Sequence, residues 1–358
     1  MSVSPVPSSV RCHVVTGKGG TGKTTVAAAL ALALAADGRQ VLLVETEGRQ
    51  GIAQLFDTPP LPYEERRVAV ARGGGEVKAL AIDVEEALLE YLEMFYNLRR
   101  AGRALRRVGA VDFATTIAPG LRDVLLTGKV KEAVTRRHDG RPVYDAVVVD
   151  APPTGRITRF LNVTGEMAGL TRSGPIKTQS DGVMAVLKSP QTAVHLVTLL
   201  EDMPVQETAD AIAELTAAGL PVGSVVVNMA AEPALPEPAL ARAADSGLIG
   251  ADLAPGLAAA GLQDVAGLAD ALATEATEHA RRWAAQDELR DEVEALGRPT
   301  VELPLLPGPI DLGALFQLAG RLEQHLRTEV GRADRGGSPS ARNERGAERP
   351  AGASGGAA

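Results

Sequence analysis

The sequence predicts an open, doubly wound α/β fold with a mostly parallel sheet. Two features of the sequence support this prediction. First, β-branched runs alternate along the chain with helical patterns, joined by short connections. Second, some runs are continuously apolar, such as AVVVD at 146–150 and SVVVN at 224–228. Such runs are typical of strands buried on both faces of a parallel sheet. The predicted strands are Cys12–Thr16, Val41–Glu45, Val77–Ile82, Tyr144–Asp150, Val194–Leu199, Ser224–Asn228 and Thr300–Leu303.

Helices are predicted between these strands, for example Lys23–Ala36, closed by Gly38, and Val205–Ala218, closed by Gly219. Two stretches interrupt the alternation. Residues 84–136 contain only helical pattern, and residues 162–192 contain helix with loop signals. Because the two stretches flank the strand that ends in Asp150, we expect one inserted helical subdomain built from both, rather than a second domain.

Composition indicates which parts of the chain are expected to fold and which are not. Of the 358 residues, 45% are hydrophobic, which excludes disorder of the whole chain. Residues 1–10 are rich in Pro and Ser, and residues 330–358 are rich in Gly, Ala, Arg and Glu with almost nothing to bury. Both ends are therefore predicted to be disordered. The α/β domain is expected to span residues 11–325.

Charge and cysteine content exclude several classes of function. The formal net charge of −8 argues against a dedicated nucleic-acid binder. The single cysteine, Cys12, excludes a disulfide framework and a multi-thiolate metal site. The most apolar run, Val26–Ala36, is far shorter than the ~20 residues that a bilayer requires, and the N-terminus lacks the order of a secretory signal. The sequence predicts a cytoplasmic protein with no transmembrane segment and no nucleic-acid partner.

A glycine-rich loop follows the first predicted strand and opens a long Ala/Leu helix. Residues 17–25 read GKGGTGKTT, which satisfies the phosphate-loop (P-loop) pattern G-x-x-x-x-G-K-[ST] in the required strand–loop–helix context. Its glycines let backbone N–H groups converge on phosphate oxygens. We expect Lys23 to reach the β- and γ-phosphates of ATP and the Thr24 hydroxyl to ligate Mg²⁺. The predicted nucleotide-binding residues here are Gly17, Lys18, Gly19, Gly20, Thr21, Gly22, Lys23, Thr24 and Thr25.

Asp150 ends a predicted core strand and leads into Ala151–Arg156, which reads APPTGR. An acidic residue at this end of a strand, beside a phosphate loop, can hold the hydration shell of Mg²⁺. Gly155 follows two prolines, so the segment can pivot when the γ-phosphate is lost. We therefore predict Thr24 and Asp150 as the metal-binding pair of a P-loop NTPase. The alternative is that Asp150 only caps the following turn.

Two motifs resemble a known family. Lys18 gives the deviant form of the loop, which resembles the group containing the cell-division and plasmid-partition ATPases, the nitrogenase iron protein and the arsenical-pump-driving and tail-anchored-protein-targeting ATPases. The segment DAPPTGRITRFL at 150–161 resembles switch II of the last of these families. Residues 118–120 and 125–131 resemble its helical insertion. The chain is similar to an actinobacterial-type member over roughly residues 11–325.

The resemblance implies a dimeric, Mg-dependent ATPase with ATP at the interface. Lys18 is implied to reach across to the nucleotide of the partner, a second copy or a paralogue; a solvated loop lysine is the alternative. Ser224–Asn228 resembles the strand whose last asparagine contacts adenine, and Val301–Pro307 resembles the segment that ends in the loop covering the base. Asn228 and Pro307 are therefore the implied adenine contacts.

Three departures from the family pattern matter. Glu47 stands where switch I carries the aspartate that orients the attacking water; Glu45 is a rival, and a purely structural switch I is a further alternative. The zinc-binding Cys-x-x-Cys is absent, which excludes a zinc-bridged dimer and a cysteine-based arsenite site. Arg156 replaces the usual histidine after Pro-Thr-Gly. The candidate catalytic residues are Lys18, Lys23, Glu47 and Asp150.

The first helical stretch carries an apolar face and a basic cluster. In the targeting relatives such a face holds a hydrophobic client helix; the alternative is that these residues form the core of the insertion. The arginines point to an acidic partner, anionic lipid or nucleic acid, or to a solvated face. A nucleotide-gated regulatory scaffold with little turnover is the alternative function. The apolar face comprises Leu88, Leu89, Tyr91, Leu92, Met94, Phe95, Tyr96 and Phe113, and the cluster Arg99, Arg100, Arg103, Arg106 and Arg107.

Overall fold

A computed structural model describes residues 10–96, 119–162, 175–263 and 265–333. Side chains are described within these ranges except those of residues 94–96, 119, 175–176, 246 and 330–333. Most of both predicted disordered ends lies outside the described residues. So do Phe113, the basic cluster 99–107 and the resemblance at residue 118.

The described residues form ten strands, and they form eleven helices that are at least four residues long. In chain order these are β1 (Cys12–Gly17), α1 (Lys23–Leu34), β2 (Gln40–Glu45), α2 (Gly51–Leu55), β3 (Arg66–Val70), β4 (Glu76–Ala81), α3 (Val84–Tyr96), α4 (Pro119–Thr135), β5 (Arg137–His138), β6 (Arg141–Pro142), β7 (Ala146–Asp150), α5 (Thr154–Leu161), α6 (Pro175–Leu187), β8 (Thr192–Thr198), α7 (Asp202–Ala217), β9 (Val222–Ala230), α8 (Glu237–Ser246), α9 (Gly250–Ala259), α10 (Val265–Ala295), β10 (Thr300–Pro304) and α11 (Leu312–Ala333).

Eight strands make one sheet in the order β10-β9-β8-β1-β7-β2-β4-β3. All neighbours in this sheet are parallel except β3, which runs antiparallel to β4 at the edge. The register aligns Asp150 with Val15 of β1 on one side and with Glu45 of β2 on the other. The predicted doubly wound, mostly parallel α/β fold is confirmed, and its strand order brings the carboxyl ends of β1, β2 and β7 together.

The two faces of the sheet are covered by different helices. One face packs α1, α2 and α11 against residues such as Val15 and Val148. The other face packs helices α3 to α7 against Val14 and Val149. Helix α1 is buried from Val26 to Leu34, which explains the most apolar run of the sequence as a helix enclosed by protein. Among the described residues, no helix combines the length and the apolar character needed to cross a membrane.

The helices of the two interrupting stretches share a core with the sheet. Leu88 and Tyr91 of α3 are buried in the same cluster as Val124 of α4, Val183 of α6 and Val149 of β7. This described part of the predicted apolar face therefore packs inside the protein, as the core alternative expects. The limits of an inserted helical subdomain stay a prediction.

Two parts of the fold were not predicted. The edge strand β3 reads RRVAV and exposes Arg66 and Arg67, and such charged, short strands are typical of sheet edges that avoid pairing with another chain. Helices α8 to α10 occupy residues 237–295 without any assigned prediction. The 31-residue helix α10 buries mainly small residues, among them Ala269, Ala273 and Ala280, so its sequence lacks a strong apolar stripe.

Two buried histidines lie between neighbouring strands of the sheet. The backbone N–H of Ser224 donates to Nδ1 of His195 at 3.2 Å, and Nε2 of His195 lies 3.1 Å from Nδ1 of His13. This chain of hydrogen bonds assigns Nε2–H of His195 as the donor to His13. Burial, the His195 ring and the charge of Arg39 hold the pKa of His13 well below its usual range, and burial with His325 lowers the pKa of His195 to about 4.

The buried histidine pair predicts an acid-sensitive fold. Because the folded pKa is lower than the unfolded value of ~6.5, the unfolded chain binds more protons, and stability falls as the pH drops from 6.5 towards 4. His195 alone should cost on the order of 1 kcal/mol between pH 7.5 and 5.5. Urea denaturation at both pH values measures this loss. His195→Gln should remove that part of it, whereas the exposed control His138→Gln should not. Equal pH dependence in both variants would contradict the assignment.

Candidate functional site

The P-loop lies at the carboxyl edge of the sheet, between β1 and α1. The carbonyl of Lys18 accepts from the backbone N–H and the hydroxyl of Thr21, at 3.4 and 2.9 Å, and from Nζ of Lys23 at 3.3 Å. Gly22 has φ +84°, and a Cβ there would lie 2.3 Å from Nδ2 of Asn228, so only glycine fits. The loop is therefore closed on itself, with Lys23 folded back over it.

The predicted metal-binding pair is brought together. The Thr24 hydroxyl donates to Oδ2 of Asp150 at 2.8 Å, although the two residues are 126 positions apart. Burial raises the pKa of Asp150 to about 6, against the opposing effects of the Thr24 hydrogen bond and the Lys23 charge. Burial also lowers the pKa of Lys23. A hydroxyl oxygen and a carboxylate oxygen are ligands of the kind that hard metal cations prefer.

This donor pair fits Mg²⁺. Within the described residues, no cluster of three or more His, Cys, Asp or Glu side chains is placed to hold a metal ion. Mg²⁺ does not need such a cluster, because it usually keeps several waters and binds through one or two protein oxygens together with substrate phosphates.

Hydrogen bonds tie the start of the switch II segment to the neighbouring strands. The Thr16 hydroxyl donates to the carbonyl of Pro152 at 2.7 Å, and the Thr46 hydroxyl donates to the carbonyl of Asp150 at 2.7 Å. Both threonines are buried. The backbone of Asp150 and Pro152 is thus held by buried side-chain hydroxyls, one at the end of β1 and one directly after β2.

The two acidic residues of switch I are placed differently. Glu45 is buried, and its two carboxylate oxygens accept the backbone N–H groups of Gln50, at 2.5 Å, and Ile52, at 3.3 Å. Glu47 instead forms ion pairs with Arg49, at 3.5 Å, and with Arg156, at 3.9 Å. Glu45 therefore shapes the loop, whereas Glu47 pairs with two exposed arginine side chains.

These elements enclose a cleft of about 250 Å³ beside the P-loop. Two of its lining side chains are cationic and three are acidic. The lining residues are Gly20, Gly22, Lys23, Thr24, Glu45, Glu47, Arg49, Gly51 and Asp150. Predicted residues from the P-loop, switch I and switch II therefore face one space, which suits a polyphosphate chain with a cation.

Lys18 is engaged within its own chain. Its Nζ lies 2.9 Å from Oε1 of Glu207 on α7, and Oε2 of the same carboxylate accepts from the Thr154 hydroxyl at 3.2 Å. Thr154 is the first residue of α5, directly after the switch II prolines. One carboxylate thus joins the second lysine of the P-loop to switch II.

The predicted adenine contacts lie at the same edge of the sheet. Asn228 is buried, and its Nδ2 donates to the carbonyl of Thr21 at 2.9 Å, so its amide also supports the P-loop. Pro307 is exposed in the loop after β10, and the Leu305 N–H donates to the carbonyl of Ala230 at 2.8 Å, which brings that loop beside the end of β9. Contact of either residue with adenine stays a prediction.

Three residues of the site were missed at the sequence level. Glu207 lies 189 positions from Lys18, and no local pattern marks it. Arg49 lies two positions after Glu47 in switch I, but its side chain was not predicted to take part in the site. Met229 follows Asn228 with φ +54° and is exposed beside the P-loop. A positive φ at a non-glycine residue is visible only in the structure.

The fold and this site define a P-loop ATPase. The family model of anion-transporting ATPases matches residues 10–188, half of the chain, and the protein belongs to this family. ATPase BagA of Mycobacterium tuberculosis is 58% identical over 322 residues, which cover 88% of this chain and 94% of the relative. ATPase get3 of Schizosaccharomyces japonicus is 26% identical over 64% of this chain and 80% of its own length. The arsenical pump-driving ATPase of Acidiphilium multivorum is 28% identical over 60% of this chain and 38% of its own length.

Membership of this family establishes the general activity. The protein is an ATP-hydrolysing enzyme, and ATP is its nucleotide substrate. The predicted resemblance to arsenical-pump-driving and tail-anchored-targeting ATPases is confirmed at the level of the family.

Proposed function

We propose that the protein is a Mg-dependent ATPase whose nucleotide-gated dimer handles a hydrophobic segment of a membrane-protein client. One observation carries the gating. Helix α5 begins four residues after Asp150, and its Ile157, Phe160 and Leu161 are buried in the same core as residues of α4 and α6. A displacement of switch II by the γ-phosphate would therefore move the packing of the helices that surround α5.

Four side chains of the cleft have proposed roles in hydrolysis. Lys23 binds the β- and γ-phosphates, and the backbone N–H groups of the P-loop hold the phosphate oxygens. Thr24 and Asp150 would hold Mg²⁺, which supplies charge neutralisation on the phosphate chain when it is bound. Glu47 orients the attacking water and accepts its proton, since both oxygens of Glu45 already accept backbone hydrogen bonds.

Glu207 supports the proposal that Lys18 acts across an interface. In the single chain its carboxylate pairs with Lys18 and with Thr154 at once. When Lys18 turns to the nucleotide of a partner, Glu207 loses one of its two contacts. The trans contact of Lys18 and the position of α5 are therefore linked through one side chain, which gives the dimer a way to sense the state of switch II.

The link predicts that Glu207→Gln favours the ATP-bound dimer. The amide can still accept from Thr154, but it no longer holds the charge of Lys18. An ion pair exposed to this extent contributes up to ~1 kcal/mol, and a dimer with two sites breaks two of them, so the dimer dissociation constant should fall by up to about 30-fold. Sedimentation equilibrium with Mg-ATP measures it. Glu214→Gln, which removes the same charge and can likewise still accept from Thr158 one turn further along α5, is the matched control. Identical dissociation constants in both variants and the wild type would contradict the link.

Client handling is tested with a hydrophobic peptide. A fluorescent 20-residue Leu/Ala helix, long enough to span a bilayer, is titrated with the full chain in the presence of Mg-ATP, ADP or no nucleotide. The proposal expects affinities that differ by about 10-fold between nucleotide states, or ~1.4 kcal/mol. Equal affinity in all states, or no binding, would contradict client handling while leaving the ATPase activity in place.

The regulatory scaffold is the second candidate function. It is favoured by Glu47 being held by two arginines, at 3.5 and 3.9 Å, an arrangement that can restrain hydrolysis. A scaffold would bind Mg-ATP and dimerise with little turnover and without affinity for the peptide. The measured turnover number and the peptide titration separate the two functions.

A further inference from the structure

Arg49 lines the phosphate cleft together with the P-loop. In the part of the chain that the structure describes, Lys23 and Arg49 are the two cationic side chains of the cleft lining. The side chain of Arg49 is 76% exposed, so it reaches into the open part of the cleft while Lys23 folds over the loop.

The backbone that carries Arg49 is fixed. Its neighbours on both sides are left-handed, Gly48 with φ +68° and Gln50 with φ +58°. Gln50 is held at three points: its backbone N–H donates to Glu45, its Nε2 donates to the carbonyl of Leu61 at 3.1 Å, and its Oε1 accepts from the N–H of Leu61 at 2.7 Å. A non-glycine residue with positive φ persists where its surroundings impose it, and such strain clusters at functional sites.

The far side of the same turn rests on the P-loop helix. A Cβ at Gly51 would lie 3.2 Å from Cγ2 of Thr24, so there is little room between them. Thr24 also bonds Asp150. The turn from Gly48 to Gly51 is therefore anchored both to the loop at Leu61 and to the predicted metal-binding pair, and Arg49 is presented at its tip.

The side chain of Arg49 keeps free donors. It approaches Glu47 through one nitrogen at 3.5 Å. A guanidinium has five N–H donors in a planar fork that matches phosphate oxygens, and an exposed ion pair of this kind is weak. Arg156 approaches Glu47 at 3.9 Å from switch II but does not line the cleft. Of the two arginines, Arg49 is the one placed to meet a nucleotide.

We propose that Arg49 is a catalytic residue that binds the transferring γ-phosphoryl group of ATP from within the same chain. The proposal rests on the nucleotide site proposed above. In the step, an oxygen of water bonds to the γ-phosphorus, the bond from that phosphorus to the β–γ bridging oxygen breaks, and ADP and phosphate leave. The proton of the water passes to Glu47. Arg49 stabilises the negative charge on the transferring group and, by leaving Glu47, releases its carboxylate for the water.

Steady-state kinetics of the full chain test the proposal. Arg49→Ala should lower kcat by about 100-fold or more, with KM for Mg-ATP changed by less than about threefold, because the contact forms in the transition state. Arg49→Lys should recover only part of the loss. Arg156→Ala removes the other guanidinium beside Glu47, so it reports effects that act through Glu47 alone. Arg66→Ala, on the edge strand β3, controls for the loss of a positive charge.

A transition-state analogue gives an independent readout. Aluminium fluoride should tighten ADP binding to the wild type and to Arg66→Ala, and this gain should be lost in Arg49→Ala while ADP alone binds normally. The proposal is overturned if Arg49→Ala keeps the aluminium fluoride gain, or if its kcat falls no more than that of Arg156→Ala. Failure of the nucleotide site itself is distinguishable, since Lys23→Ala would then bind ADP as tightly as the wild type.

Discussion

Replacing Lys23 with alanine is expected to lower ATP hydrolysis by at least about 100-fold and to weaken nucleotide binding. Lys23 is half-buried, and its Nζ lies 3.3 Å from the carbonyl of Lys18, at the centre of the closed P-loop. Loss of this cation leaves the phosphate oxygens with backbone N–H donors and without the nearest positive charge. Calorimetric titration with ADP and a phosphate-release assay measure the two effects.

Two further variants serve as controls for this prediction: Lys23→Arg, which keeps the charge, and Lys78→Ala, which removes a lysine outside the site. Arginine keeps the charge but not the compact ammonium, so it should recover little activity. Lys78 lies on β4, away from the cleft, and its removal should leave hydrolysis within about twofold, as is usual for substitutions outside the site. Unchanged activity in Lys23→Ala would place the phosphate chain elsewhere and remove the basis of the site.

Replacing Asp150 with asparagine is expected to raise the Mg²⁺ concentration required for half-maximal hydrolysis by about 10- to 100-fold. The charge on Oδ2 that accepts the Thr24 hydroxyl is lost, whereas the P-loop stays intact. ADP binding without Mg²⁺ should therefore be retained. A Mg²⁺ titration of the steady-state rate measures the shift.

The same substitution should not destabilise the nucleotide-free fold. Burial raises the pKa of Asp150 to about 6, which means that the ionised carboxylate is costly to bury at neutral pH. The neutral asparagine avoids that cost, so the melting temperature at pH 8 should be unchanged or higher. A lower melting temperature with an unshifted Mg²⁺ requirement would assign Asp150 to the alternative, capping role.

Local pattern was sufficient to predict the fold and the phosphate loop. Continuously apolar strands such as 146–150, and a motif whose residues are adjacent in sequence, are visible without any tertiary information. The pair formed by Thr24 and Asp150 was also predicted, because both follow central strands of a parallel sheet, whose carboxyl ends meet. The edge strand β3 and the Ala-rich helices at 237–295 were not, since neither has a strong apolar period.

Contacts between distant residues that no sequence motif marks could not be predicted. The bond between Lys18 and Glu207 depends on how α7 packs against switch II, and α7 shows only an ordinary amphipathic pattern in sequence. The position of Arg49 depends on two left-handed residues and on the bonds from Gln50 to Leu61. Backbone conformation at such positions is imposed by tertiary structure, which a single sequence does not display.

Mixing two inactive variants tests whether the ATPase site is completed across the dimer interface. Lys18 is proposed to act in the site of the partner and Glu47 in the site of its own chain. The specific activity of the wild type should rise with protein concentration, and Lys18→Ala and Glu47→Gln should each stay inactive. In an equal mixture, half of the dimers are mixed and one of their two sites is complete, so about one quarter of the wild-type activity should return. Specific activity independent of concentration, with no recovery on mixing, would contradict an ATPase site completed across the interface.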